Sequence, residues 1–234
     1  MIPKTIHYCW FGGKPKPKLA KKCIESWKKH CPDYEIIEWN ETNFDVNQDV
    51  YTKVCFEQGK WAFLSDYVRL KVISENGGIY FDTDVEVLKS IDDLLEFDAF
   101  YGFENNDNIN TGQGFGSAAH HPIVEAMLQQ YEGLADENGN VKTVGCPTLN
   151  TQAALLFGLQ LNGKKQELSG AIILPAEYTN PYNDATGRLN TTQNTYSIHW
   201  YSKSALSKKQ ILRSKLTRPL HRAFGEDVLS FLRK

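Results

Sequence analysis

The chain has 234 residues, 41% of them hydrophobic, and a net charge of −2, which suits one well-cored domain, alone or with an appendage. No run approaches the ~18 consecutive apolar residues of a membrane span, and Lys4 and His7 interrupt any apolar leader, so the chain reads as intracellular. Charge is uneven: residues 1–30 hold eight lysines against Glu25, residues 203–234 hold nine Lys/Arg against Glu226 and Asp227, and residues 31–202 hold nine against twenty-five acidic residues.

In chain order, Thr5–Trp10 reads as a first strand, and Phe11–Pro17, with its glycines and prolines, as a loop. Leu19, Cys23, Ile24 and Trp27 recur at helical spacing up to Pro32. Tyr34–Trp39 alternates as a second strand, and 40–49 is polar and irregular. A helix is predicted from about Gly59 to Asn76, with Trp61, Leu64, Val68 and Val72 on its core face and Ala62, Asp66, Arg69 and Ile73 nearly opposite. Gly77 and Gly78 stop it. Strands follow at Ile79–Phe81 and Phe97–Phe103, an Asn- and Gly-rich loop at 104–114, helices at Pro122–Leu134 and Thr148–Leu159, and strands at Ala171–Leu174 and Tyr196–Trp200. The alternation favours an α/β fold.

The tail differs in character. Ser204–Arg218 carries a narrow apolar stripe (Ala205, Leu212, Leu216) among many bases, and Pro219 sits where a second helix can begin, with Leu220, Phe224, Val228, Phe231 and Leu232 on its apolar face. The expected division is a catalytic domain over 1–202 and a basic amphipathic helical tail over 203–234. Such a tail attracts anionic surfaces, or is an ordinary solvated helix face. The five cysteines include no CxxC pair, so free buried thiols are expected rather than disulfides or a zinc site.

The chemistry centres on Gly77–Asp84, GGIYFDTD. A helix stop, a short buried strand and then two carboxylates, Asp82 and Asp84, fall where ligands bind in open α/β sheets. In an extended backbone, side chains at i and i+2 point the same way, so both approach one ion. Oxygen-only ligation suits Mg²⁺ or Mn²⁺ shared with a substrate phosphate. Asp66 and Arg69 are helical neighbours; they form a surface ion pair or, on the helix feeding the DxD strand, turn toward a sugar hydroxyl and a phosphate. Trp10, ending the first strand, is a rim aromatic or a stacking platform for a nucleotide base. His199 is structural, a further metal ligand, or a diphosphate donor.

Four blocks together resemble the DxD-containing sugar transferases of family 32, which include bacterial capsule and surface-polysaccharide enzymes, and more distantly the glucosylating domains of large clostridial toxins. They are Ile2–Gly13 (IPKTIHYCWFGG), Ala62–Arg69 (AFLSDYVR), Gly77–Asp84 and Ser197–Trp200 (SIHW). The resemblance implies a GT-A-type fold and a sugar-nucleotide donor, a UDP-sugar, with retention at the anomeric carbon. It implies donor contacts from Tyr8, Trp10, Asp66, Arg69, Tyr80, Asp82, His199 and Trp200. Asp84 is the implied direct metal ligand, with Asp82 and His199 beside it, and Asp82, Asp84 and Arg69 carry catalysis. Relatives often place another His and a later Ser-Trp after the closing His. Here Trp200-Tyr201-Ser202-Lys203-Ser204 follows, which leaves the third ligand open between His199, Ser202 and water. Asn110 is the candidate from the Asn-rich loop for the acceptor face.

The expected activity is metal-assisted hexosyl transfer to a glycan or polyprenyl-diphosphate-linked acceptor, at the inner face of the cell membrane through the 203–234 tail. The tail is otherwise packed on the body or joins a homodimer. Nucleic acid is not an expected partner. Two other classes compete: a nucleotidyltransferase, for which Gly12-Gly13-Lys14 is a thin triphosphate loop, and a non-catalytic sugar-nucleotide or glycan-binding module.

Overall fold

The computed structural model describes residues 1–202, 208–224 and 228. In chain order the elements are β1 (Thr5–Cys9), α1 (Lys18–His30), β2 (Glu35–Trp39), α2 (Val50–Glu57), α3 (Trp61–Asn76), β3 (Gly78–Tyr80), β4 (Val85–Val87), a 3-10 turn (Asp92–Glu96), β5 (Ala99–Gly102) and β6 (Phe115–Ser117). Then come α4 (Pro122–Gln129), α5 (Cys146–Leu155), β7 (Gln166–Leu168), β8 (Ala171–Leu174), α6 (Ala176–Thr179), β9 (Tyr182–Asn183), β10 (Arg188–Leu189), β11 (Ser197–His199) and α7 (Lys208–Phe224).

Seven strands form one sheet in the order β2-β1-β3-β6-β5-β8-β7. β1, β2 and β3 run parallel, as do β5 and β8, while β6 and β7 run against their neighbours. This is the mixed, mostly parallel α/β sheet expected from the alternating elements. The strand period of two sorts side chains into two cores. Tyr80, Tyr101 and Ile173 point to the side packed with α2, α3, α4 and α5. Ile79, Phe100 and Ile172 point to the side packed with α1 and its fully buried Trp27. Two antiparallel ribbons, β4 with β11 and β9 with β10, lie outside the sheet.

Several elements depart from the sequence expectation. α2 was not foreseen; Asp49 caps it by accepting from the Tyr51 amide. β4, β6, β7, β9 and β10 are two or three residues each, too short for periodicity to register. α4 ends well before Leu134, and α5 begins two residues earlier than read, with its proline in the first turn, where a missing N–H costs nothing. α7 runs through Pro219 as one helix, so no new helix begins there. Hydrogen bonds from Arg218 and Arg222 to the β9–β10 ribbon hold the helix on either side of the proline and offset its lost backbone bond. Residues 203–207, on which the expected domain division falls, and the far apolar face at Phe231 and Leu232 lie outside the described residues.

Candidate active site

The Gly77–Gly78 pair explains itself locally. Gly77 closes α3 at φ 67°, its N–H donating to the Ile73 carbonyl at 2.8 Å. Gly78 has φ 103°, and a Cβ there would lie 2.8 Å from both the Thr5 carbonyl oxygen and His7 Nε2. No side chain fits so close an approach of β3 to β1.

β3 ends at Tyr80, and Asp82–Asp84 then form a turn, the Val85 amide donating to the Asp82 carbonyl at 3.0 Å. The carboxylates therefore converge through a turn and not through the i, i+2 alternation of an extended strand. Asp82 Oδ1 accepts from Arg69 Nη2 and from the Tyr80 hydroxyl, each at 3.0 Å. Arg69 Nη2 also reaches Asp66 Oδ1 at 2.9 Å. Arg69 is only 3% exposed, so this is a buried network and not a surface pair. The face of α3 opposite Leu64 and Val68 is graded: Ala62 is exposed, Asp66 half-buried, and Arg69 and Ile73 are buried as the helix runs in toward the sheet and its helical neighbours.

His199 arrives from the far end of the chain. β11 pairs antiparallel with β4 so that His199 faces Val85, the residue after Asp84. His199 Nε2 then lies 3.3 Å from Asp84 Oδ1. The Ser202 amide donates to Asp84 Oδ2 at 2.6 Å, and the Trp200 amide to the Asp84 carbonyl at 3.0 Å. Burial pushes Asp82 up to about 6, against the pull of Arg69. Burial also opposes charge on Asp84, but His199 and Ser202 together outweigh it and hold this carboxyl well below its ordinary range. Burial lowers His199, and the neighbouring Asp84 more than reverses this.

Asp82, Asp84 and His199 each offer a ligand atom, all within 4.8 Å of one another, and His199 Nδ1 has no hydrogen-bond partner. Two carboxylates and an imidazole suit a divalent metal ion of hard to borderline character. The 3.3 Å between His199 and Asp84 is near the ~3 Å that separates adjacent ligands of an octahedral ion held at ~2.1 Å. Of the candidates for the third ligand, the fold brings both His199 and Ser202 to Asp84: His199 Nε2 completes the carboxylate–imidazole group, and the Ser202 amide and hydroxyl both hydrogen-bond the Asp84 carboxylate.

A cavity of about 180 Å³ beside this group brings together Trp10, Asp66, Arg69, Asp82 and Asp84 from the sequence reading. It adds Phe11, Trp61, Ser65, Thr83 and Ser202, of which Trp61 had been read as core. Its helical phase is that of Leu64 and Val68, but it stands at the first residue of α3 and meets the β1–α1 loop, where a Cβ on Gly12 would lie 2.8 Å from its ring. Four expected donor contacts, Tyr8, Tyr80, His199 and Trp200, are not lining residues, although His199 reaches the site through Asp84. Tyr8 is buried against Trp27 with its hydroxyl on Glu38, and Trp200 donates its indole N–H to Glu86 and packs on Tyr182. Tyr80 serves the site through Asp82. Asn110 is one shell back: its Oδ1 accepts from the Gly112 amide at 2.7 Å. Gly112 in turn packs on Asp82, a Cβ there lying 2.5 Å from Asp82 Oδ2. All five cysteines are free and buried; burial pushes the Cys9 thiol, at the cavity wall, up to about 12, which leaves it protonated and inert.

Residues 17–101 match the family described as "glycosyltransferase sugar-binding region containing DXD motif", a stretch that holds Asp66, Arg69, Asp82 and Asp84 but neither Trp10 nor His199. The chain is 27% identical over 142 residues to inositol phosphoceramide mannosyltransferase 3 of Schizosaccharomyces pombe, covering 57% of this chain and 38% of that protein. It is 25% identical over 150 residues to an uncharacterized glycosyltransferase of Acanthamoeba polyphaga mimivirus, covering 60% of each. The chain thus matches less than two thirds of the length of either relative. Among solved structures it is similar to the PaToxG glycosyltransferase, with 21% identity and a TM-score of 0.49 over 66% of this chain and 68% of that one. It is also similar to a glycosyltransferase involved in the glycosylation of the major capsid of PBCV-1, with 13% identity and a TM-score of 0.47 over 91% and 98%.

Proposed function

We propose that the chain is a divalent-metal-dependent glycosyltransferase of the GT-A, family-32 kind. It moves a hexosyl group from a nucleotide-sugar donor, a UDP-sugar, to a glycan acceptor with retention of anomeric configuration. The observation that carries this reading is the convergence of Asp82, Asp84 and His199 beside a cavity already walled by Trp10, Asp66 and Arg69. All of these except His199 lie at or over the carboxyl ends of β1 and β3, where α/β sheets bind their ligands.

Asp82, Asp84 and His199 would hold a divalent cation, which when bound would supply positive charge to the donor diphosphate as it leaves. The chain's own residues do the rest. The Trp10 indole offers a base a stacking surface, worth roughly 1–3 kcal/mol. Arg69, pinned between Asp66 and Asp82, is a fixed positive charge that needs no reorganisation during reaction. Asp82 is held at Oδ1 by Arg69 and Tyr80, which restrains it from swinging in as a covalent nucleophile. The acceptor hydroxyl then attacks on the face from which the diphosphate departs. The bond from the anomeric carbon to the diphosphate oxygen breaks, the bond to the acceptor oxygen forms, and the hydroxyl proton passes to the departing phosphate.

Incubation with a panel of UDP-sugars and Mn²⁺, without acceptor, tests this. Slow metal-dependent release of sugar from at least one donor, lost in Asp84→Ala, is the expected result. Full release without metal, or full retention of metal-dependent release by Asp84→Ala, overturns the scheme. A thermal shift with a donor but no release from any would turn the reading toward a non-catalytic sugar-nucleotide-binding module. Production of diphosphate from a nucleoside triphosphate and a sugar phosphate would turn it toward a nucleotidyltransferase.

We place the work at the inner face of the cell membrane, with a polyprenyl-diphosphate-linked glycan of surface or capsular polysaccharide as acceptor. α7 supports this. Leu212, Leu216, Leu220 and Phe224 recur every fourth residue and are 59%, 69%, 44% and 72% exposed, while Arg218 and Arg222 turn to the β9–β10 ribbon. An exposed apolar stripe within a segment holding nine bases is complementary to an anionic bilayer surface.

A further inference from the structure

A larger cavity, about 650 Å³, lies between the loop at Glu104–Asn106 and the segment Asn180–Asn190. None of its lining residues belongs to the donor site above. Its volume falls within the ~300–1,000 Å³ of small-ligand sites. Its walls offer the amides of Asn105, Asn106 and Asn190 and the rings of Tyr182 and Tyr201. The charged groups among the described lining residues are Glu104, Glu177 and Asp184; Arg218, at the cleft edge over Tyr182, pairs with Asp184 at 2.8 Å, which leaves Glu104 and Glu177 to set the sign of the wall.

The cavity backs onto the metal group through one residue. Tyr201 takes φ 49°, a left-handed conformation rare for a bulky residue and sustained only where the surroundings fix it. In that conformation its ring packs on His199, centroid to centroid 4.1 Å. Its hydroxyl donates to Glu104 Oε1 at 3.0 Å and accepts from Asn180 Nδ2 at 2.7 Å. The next amide, Ser202, is the one that holds Asp84. From the other side, Glu104 Oε1 accepts from Asn110 Nδ2 at 3.1 Å, and Asn110 holds Gly112 against Asp82. Consecutive residues, Tyr201 and Ser202, thus line the larger and the smaller cavity respectively. The Asn180 side chain is buried and its Oδ1 lacks a partner.

We infer that this cleft is the acceptor subsite and that it takes an uncharged glycan, neutral hexose or N-acetylhexosamine units, with the reacting hydroxyl presented past Tyr201 toward Asp82 and Asp84. Amides and tyrosine rings match sugar hydroxyls and the apolar faces of pyranose rings. Glu104 and Glu177 repel uronates and sialates, so the cleft selects by charge as well as by shape. The inference rests on the glycosyltransferase reading.

The test uses the whole chain with Mn²⁺ and the UDP-sugar it hydrolyses fastest. The probes are p-nitrophenyl glucoside, galactoside and N-acetylglucosaminide against the glucuronide. Neutral glycosides are expected to accelerate donor consumption saturably, with the glucuronide at least tenfold poorer. Ala185→Trp, which fills the cleft, is expected to raise the glycoside KM at least tenfold and leave acceptor-free donor hydrolysis unchanged. Asn190→Trp, at an exposed cleft residue, serves if Ala185→Trp does not fold. Saturation-transfer NMR of the same glycosides, reduced in the filled-cleft variants, reads binding without turnover. An unchanged KM in both variants, an equally good glucuronide, or no neutral glycoside bound or used overturns the inference. Loss of donor hydrolysis in the unmodified chain instead counts against the glycosyltransferase reading, and the NMR arm still decides the cleft.

Discussion

His199 Nε2 stands 3.3 Å from Asp84 Oδ1 because the register of β4 and β11 sets His199 opposite Val85. More than a hundred residues of chain separate the two partners, yet a three-residue ladder fixes their geometry. The same ladder carries the Trp200 and Ser202 amides to Asp84. Asp84 is thus oriented before any ligand arrives.

That geometry makes Asp84 and His199 the most sensitive positions for cation binding. Disturbing groups that merely orient a ligand costs ~10–100-fold in metal affinity, so Asp84→Asn or His199→Ala is expected to cost at least as much. Isothermal titration with Mn²⁺ reads the change. An affinity within threefold of the unmodified chain for both variants would remove the triad as the cation site.

Arg69→Met is expected to cost stability as well as activity. It leaves Asp66 and Asp82, 13% and 28% exposed, without their shared guanidinium; stranding a fully buried charge costs about 3–5 kcal/mol, and access to the cavity brings the expected loss to the lower end of that range or below. Urea unfolding at pH 7.5 measures this. Arg69→Lys keeps the charge but not the two-sided fork and should fall between. A loss for Arg69→Met under 1 kcal/mol would mean that the two carboxylates do not depend on it.

His7 predicts a pH dependence of folding separate from the site. Its Nδ1 accepts from the Trp39 indole at 3.0 Å, and burial pushes it down to about 4 from 6.5. Between these values the unfolded chain binds more protons, so stability rises with pH and is lost as pH falls from 6.5 toward 4. The full loss is about 3 kcal/mol. Asp82, raised to about 6, contributes with the opposite sign over an overlapping range. The difference between the unmodified chain and His7→Gln cancels that term. Equal slopes in the two proteins between pH 6.5 and 4 would exclude His7 as the cause.

For α7, sedimentation with vesicles of 30% phosphatidylglycerol in phosphatidylcholine is expected to pull down the full chain, and pure phosphatidylcholine is not. Leu216→Glu with Phe224→Glu should abolish the binding while acceptor-free donor hydrolysis persists. Raised salt should weaken it, since several bases contribute roughly 1 kcal/mol each near an anionic surface. Binding that ignores both substitutions, or a concentration-dependent dimer that they disrupt, would assign the stripe to another partner.

The sequence made legible the parts where local chemistry decides: the strands at 5–9 and 35–39, the helix ending at Asn76, the Gly-Gly stop, and the placement of Asp66, Arg69, Asp82 and Asp84 on one cavity. It hid what depends on register between distant segments. Val85–Val87 is too short to announce itself as a strand, so the reason His199 meets Asp84 stayed out of view. Tyr201 showed no motif, because its importance lies in a backbone angle and in a hydroxyl shared with Glu104 and Asn180. The resemblance implies Tyr8 at the donor, but side-chain direction is set by packing: its ring packs on Trp27 and its hydroxyl donates to Glu38.

The central sheet is complete once Leu174 has been laid down, but Asp84 acquires its last two partners only from residues 199 and 202. No strand of the central sheet comes from the closing segment 197–202. A chain cut after Leu174 would therefore keep every strand of that sheet and lose both distant partners of Asp84, so the scaffold and the clamp on the DxD turn are separable in sequence. Circular dichroism and Mn²⁺ titration of that truncated chain would read the two apart.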